Sequence, residues 1–149
     1  MRNPIALYYA ANWMHRHGVP LIPRLLQAIL FLSCGAVVPC QTKIGKGCKL
    51  GHGGSGVVIH EKAQIGSRVM ICQQVTIGGS GIGSRLPVIG DDVYLGAGAK
   101  ILGAVEVGND SVIGANAVVV RSVPPRSVAA GVPARIIAED VSARSVEEW

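Results

Sequence analysis

From residue 44 onward one aliphatic residue returns in a single six-residue register: Ile44 and Leu50, then Ile59, Ile65, Ile71 and Ile77, then Ile89, Leu95, Ile101, Val107, Ile113 and Val119. Glycine follows at 45, 51, 66, 78, 90, 96, 108 and 114, and a small or β-branched residue stands four places after the aliphatic, as at Cys48, Ala63, Val69, Val93, Ala99, Ser111 and Ala117. Strands alternate with period two and helices with period 3.6, so neither explains a period of six. A β-solenoid does. Each coil would have three flat faces of six residues, with the aliphatics pointing inward and stacking on their equivalents in coils about 4.8 Å away. Glycine is then expected where the chain turns from one face to the next, and the small inward residue fits the narrow corner of a triangle. A coil cannot bury its aliphatics alone, so the ends need covers. Residues 1–43 and the chain from Pro124 onward are the candidates.

Upstream of the repeat the pattern is helical. Asn3-Pro4 reads as an N-cap with a first-turn proline, opening a helix that ends near Gly18; a second helix runs from Pro23 to Gly35. The stretch Leu25 to Val38 is largely apolar but falls short of the ~20 residues a membrane span needs. Two covers stay open for it: the body or a neighbouring subunit, and a peripheral contact with a membrane interface. The chain divides into a helical segment at 1–40, a repeat domain at 41–138 and a tail at 139–149.

Composition narrows the function classes. At 149 residues the chain fits one domain. Hydrophobic residues make up 49% and charged ones 15% against a usual ~25%, which excludes intrinsic disorder. Aromatics at 4% are too few for a platform that stacks single-stranded bases. The net charge of +5 is spread without a stripe, which argues against nucleic acid and suits an anionic small ligand. Cys34, Cys40, Cys48 and Cys72 form no CxxC pair and have no histidine at zinc spacing, so they read as reduced packing thiols of a cytoplasmic chain. Only His52 and His60 lie in the repeat, short of a three-histidine zinc site, and no metal is expected.

The register breaks twice. Leu50 to Ile59 takes nine residues, through Gly51-His52-Gly53-Gly54-Ser55-Gly56, and Ile77 to Ile89 takes twelve, through Gly79 to Pro87. Insertions cost a stack little and can carry reactive side chains, and a non-catalytic solenoid would leave both unexplained. Across roughly 41–138 the residues Leu50-Gly51-His52, Val57-Val58-Ile59-His60, Val75-Thr76-Ile77-Gly78-Gly79, Ile89-Gly90-Asp91, Gly96 to Gly103 and Gly131-Val132-Pro133-Ala134-Arg135 resemble the hexapeptide-repeat acyltransferases, and within them the serine acetyltransferase branch. The resemblance implies a left-handed parallel β-helix, a homotrimer, and acetyl-CoA bound in the groove between subunits. It assigns His52 as the catalytic histidine, a role an imidazole with pKa ~6.5 can fill by taking a proton from an acceptor hydroxyl. It places Gly79, Ala97, Gly98 and Ala115 along the pantetheine and Arg135 at the nucleotide end, with Lys100 a weaker choice.

Two positions depart from that branch. An aspartate precedes the catalytic histidine there, where this chain has Gly51; an Asp-Arg-His-Pro stretch is replaced by Ser84-Arg85-Leu86-Pro87. Arg85 keeps a planar donor set for an acceptor oxygen. A site without those partners is expected to recognise a zwitterionic amino acid poorly. The expectation is therefore acetyl transfer to a sugar hydroxyl of a surface polysaccharide or its precursor, with serine O-acetylation for cysteine biosynthesis as the alternative. His60 is expected to be structural, and His15 and His17 to favour the C-terminal end of the first helix.

Overall fold

Every aliphatic of the register lies in a strand of two or three residues, and these strands build three parallel sheets, the faces of one solenoid. In the computed structural model, residues 3–81 and 85–141 are described; 82–84 of the second break and 142–149 of the tail lie outside them. The first face holds β1 (Lys43–Ile44), β4 (Gln64–Ile65), β7 (Val88–Ile89) and β10 (Glu106–Val107). The second holds β2 (Lys49–Leu50), β5 (Met70–Ile71), β8 (Tyr94–Leu95), β11 (Val112–Ile113) and β13 (Val128–Gly131), with β14 (Ala134–Ala138) antiparallel at its end. The third holds β3 (Val58–Ile59), β6 (Thr76–Gly78), β9 (Lys100–Leu102) and β12 (Val118–Val119).

All register aliphatics except the half-buried Ile44 are buried, each of the isoleucines contributing on the order of 1.5–3 kcal/mol. An undisturbed coil takes eighteen residues, as from Ile101 to its partner Val119. Leu50 pairs with Ile71 and Ile77 with Ile101, so coils lengthened by the two breaks return to the same register.

Several of the glycines following the aliphatics do not serve the turn. Gly45, Gly66, Gly90 and Gly96 have ordinary φ; what forbids a side chain there is the next coil, since a Cβ on Gly45 would lie 2.6 Å from the Gly66 carbonyl carbon. The left-handed corner falls three residues after the aliphatic, at Arg68, Gln74, Asp92, Gly98, Asp110 and Asn116. Asp and Asn tolerate that region because their short polar side chains bond locally. Arg68 and Asp92, on successive coils, join through two parallel hydrogen bonds of 2.7 and 2.6 Å.

The first coil is covered by α1 (Ile5–Arg16), and α1 packs on α2 (Ile22–Cys34). Gly35, left-handed at φ 67, ends α2, and its N–H donates to the Phe31 carbonyl. Side chains tie α1 down: Asn3 Oδ1 accepts from Ile5 N and Leu50 N, both at 3.2 Å, Tyr8 donates to the Thr42 carbonyl at 2.6 Å, Tyr9 to that of Gly45 at 2.6 Å, and Asn12 to that of Cys40 at 2.7 Å. Burial pushes the Tyr8 and Tyr9 hydroxyls up to about 12, so both stay protonated donors. Cys40, Cys48 and Cys72 are buried and Cys34 half-buried, all as free thiols.

Candidate active site

The insertion after Leu50 folds into a tight kinked turn, Gly51–Gly54, at the edge between the second and third faces. His52 stands on it in the left-handed region (φ 46, ψ 42), and Gly53 and Gly54 follow at φ 71 and 74. A chain reversing this sharply needs residues that accept positive φ, which explains the glycines around the histidine. The imidazole is exposed and borders a groove of about 300 Å³ lined also by Asn3, Lys49 and Met70. Among the described residues no hydrogen bond holds the ring.

The same edge continues through the stack. Gln74 N–H donates to the Ser55 carbonyl (2.8 Å), Gly98 N–H to that of Gln73 (2.9 Å), and Asn116 N–H to that of Ala97 (2.7 Å). Ala97, Gly98 and Ala115 therefore line the edge that His52 opens, on coils successively farther from it. Gly98 is left-handed at φ 71, and a Cβ on it would meet the end of the Asn116 side chain, which would have to turn aside. Ala115 is exposed. Lys100 reaches back to donate to the Gln74 carbonyl at 2.6 Å, tying two coils together.

Gly79 and Arg85 lie elsewhere. Gly79 follows β6 and Arg85 precedes β7, so both belong to the edge between the third and first faces; both are exposed. Arg135 lies on β14 at the end of the second face remote from β2, exposed, with Nη1 3.2 Å from the Ala134 carbonyl. One chain thus gathers His52, Ala97, Gly98 and Ala115 on a common edge and leaves Gly79 and Arg85 on another. His60 Nδ1 accepts from the Lys62 N–H at 3.1 Å, closing its own turn. His17 stacks on Trp13 at 4.3 Å beyond the end of α1. No three metal-binding side chains cluster among the described residues.

Cys72 does more than pack. It occupies the position on the second-to-third edge where neighbouring coils have Gly51, Gly96 and Gly114, and a Cβ on Gly51 would meet its Cα at 3.3 Å. Its Sγ hydrogen-bonds Tyr94 Oη at 3.3 Å, and this contact with the sulfur, with burial, raises the Tyr94 hydroxyl to about 12. Cys72 thus lies against the start of the histidine turn, and Tyr94 meets Cys72 from the following coil. The signal was legible: Cys72 interrupts a glycine column. Lys49 and Met70 carry a weaker one, adjacent outward positions of the second face.

Residues 87–121 match the family described as bacterial transferase hexapeptide (six repeats). A serine acetyltransferase of Helicobacter pylori is 42% identical over 135 residues, covering 89% of this chain and 78% of that protein. The chain belongs to the serine acetyltransferase family. The Mycobacterium tuberculosis serine acetyltransferase is 43% identical over 131 residues, 87% of this chain but 57% of the relative, so the chain spans little more than half the length of this family member. The crystal structure of the Brucella abortus serine acetyltransferase in complex with coenzyme A superposes with a TM-score of 0.86 at 37% identity, covering 93% of this chain and 56% of that one. This chain carries Gly51 and Leu86 where the branch resemblance calls for an aspartate and a histidine.

Proposed function

We propose that the protein transfers an acetyl group from acetyl-CoA to an acceptor hydroxyl, with His52 as general base. The observation that carries this reading is an exposed imidazole lifted onto a three-residue insertion at the head of an edge whose next coils present Ala97, Gly98 and Ala115. Small residues let an extended pantetheine approach the backbone, and the likeness to a family member solved with coenzyme A supports that donor. The base removes the hydroxyl proton as the oxygen attacks the thioester carbonyl; the C–S bond breaks as the tetrahedral carbon collapses, and the proton passes to the departing thiolate. No acyl-enzyme is required.

His52 and Gly79 occupy different edges of one prism, so a site holding both needs two prisms side by side. This supports a homotrimer with its sites between subunits, where a Gly79 N–H from the adjoining chain would face the developing oxyanion and Arg85 an acceptor oxygen. Arg135, at the far end of the stack, would meet the nucleotide phosphates.

The names of the relatives favour L-serine as acceptor over a carbohydrate. A sugar hydroxyl of a surface polysaccharide or its precursor is the second reading, favoured by Gly51, by Leu86 and by the lack of any described partner for the His52 ring. Thiol release from acetyl-CoA decides between them. Serine-dependent release establishes the first; release driven by sugars but not by serine establishes the second. Release that His52→Ala leaves unchanged defeats both.

A further inference from the structure

Helix α2 is apolar on two opposite sides. Pro23 and Leu30 are buried against the rest of the chain, whereas Ile22, Leu25, Ala28, Ile29 and Leu32 fall about half a turn away and face outward. Leu32 is 82% exposed, Leu25 61%, and Leu21 just ahead of the helix 75%. A helix apolar all round belongs inside something larger. At 13 residues it cannot cross a bilayer, and no helix among the described residues is long and apolar enough to do so.

Charge identifies the cover. No Asp or Glu stands before Glu61, while Arg2, Arg16, Arg24, Lys43, Lys46 and Lys49 all do. The cations gather beside the start of α2: Leu21, Arg24 and His15 share the lining of a cavity of about 270 Å³, and His15, Arg16 and Lys43 that of another of about 470 Å³, while Glu61 shares a third with Lys43. A second copy meeting this face about a two-fold axis would set Arg24 against the same helices of its partner, which carry no Asp or Glu to answer it. A bilayer surface with anionic phospholipid answers both features, taking the leucines between acyl chains and the arginines among phosphates.

We infer that the outward face of α2, with the basic group around His15, Arg16, Arg24 and Lys43, docks the protein on an anionic lipid surface, a contact independent of the acetyl-transfer reading. The test is sedimentation of the full chain with vesicles of phosphatidylcholine alone and of phosphatidylcholine mixed with phosphatidylglycerol, with light scattering on the same samples without lipid. The expected result is binding to the anionic vesicles only, weakened more than about tenfold by the pair Leu25→Glu and Leu32→Glu and about fivefold by each of Arg16→Gln and Arg24→Gln, with melting temperature and assembly mass unchanged. Equal binding to both vesicles, binding to neither, binding that the substitutions do not weaken, or a fall in assembly mass in the leucine variant each overturns it; the last assigns the face to a second copy of the chain.

Discussion

Two edges of the prism begin from the same repeat and end differently. Along the edge from the first face to the second, Gly45, Gly66, Gly90 and Gly108 each rest on the next coil so closely that a Cβ has no room; on Gly66 it would lie 2.5 Å from the Gly90 carbonyl oxygen, and on Gly108 it would be 2.6 Å from Pro125 Cα. Along the edge from the second face to the third, Gly96 is as confined, but the same position one coil earlier admits Cys72, and the first coil opens by three residues to raise His52. The closed edge holds the stack together. The open edge is where reactive side chains can be added, because the loosened coil returns to register one strand later and the sheets never lose a pair.

The largest way to separate the two edges is His52→Ala. Acetyl transfer should fall about 10²–10⁴-fold, the usual share of a general base, while the melting temperature stays put, because no described partner loses a bond. A parallel fall in stability would make the histidine a structural member of the edge. On the closed edge the expected cost is in folding: Gly66→Ala forces backbone apart and should lose about 3 kcal/mol in denaturant titration. A loss below about 1 kcal/mol would show that the coils can separate there.

Smaller effects test the cover and the turn. Tyr8→Phe leaves the Thr42 carbonyl without its donor and should cost about 2 kcal/mol. It should also change the alkaline limb of stability. The Tyr8 hydroxyl titrates near 10 unfolded and about 12 folded, so its contribution is complete below pH 10 and disappears as the pH climbs through 12. The variant should therefore decline less steeply than the parent across that window, measured by denaturation at fixed pH. The smallest effect belongs to Gly53→Ala: nothing lies within 4 Å of the added methyl, only φ of +71 opposes it, and about 1 kcal/mol is expected.

Much of this was readable in advance, and the exceptions share a cause. The aliphatic column from Ile44 to Val119, the two breaks and the two helices follow from local periodicity and capping, which a sequence displays directly. The work of the glycines was misassigned. Gly45 and Gly66 look like turn residues because glycine allows positive φ, yet their constraint comes from a chain segment about twenty positions away, and the positive φ sits instead at Arg68 and Asp92. The long-range bonds of Asn3, Tyr8, Tyr9 and Asn12 were invisible for the same reason: each reaches a backbone atom 28 to 47 residues downstream. For the site, His52 and the edge of Ala97, Gly98 and Ala115 follow once the register is known. That Gly79 belongs to another edge also follows from the register, since Ile77 closes the third face. What sequence could not show is the bond between Cys72 and Tyr94, which meet only when coils stack.

A stack of parallel coils has no natural last member: its terminal strands offer the same unpaired amides as any interior coil, an invitation to polymerise end to end. The reversal of β14 withdraws that invitation on the second face. Running against β13 and carrying Arg135 outward, it offers an arriving coil a template of the wrong polarity. A single backward strand thus helps keep a potential fibre a molecule of fixed length.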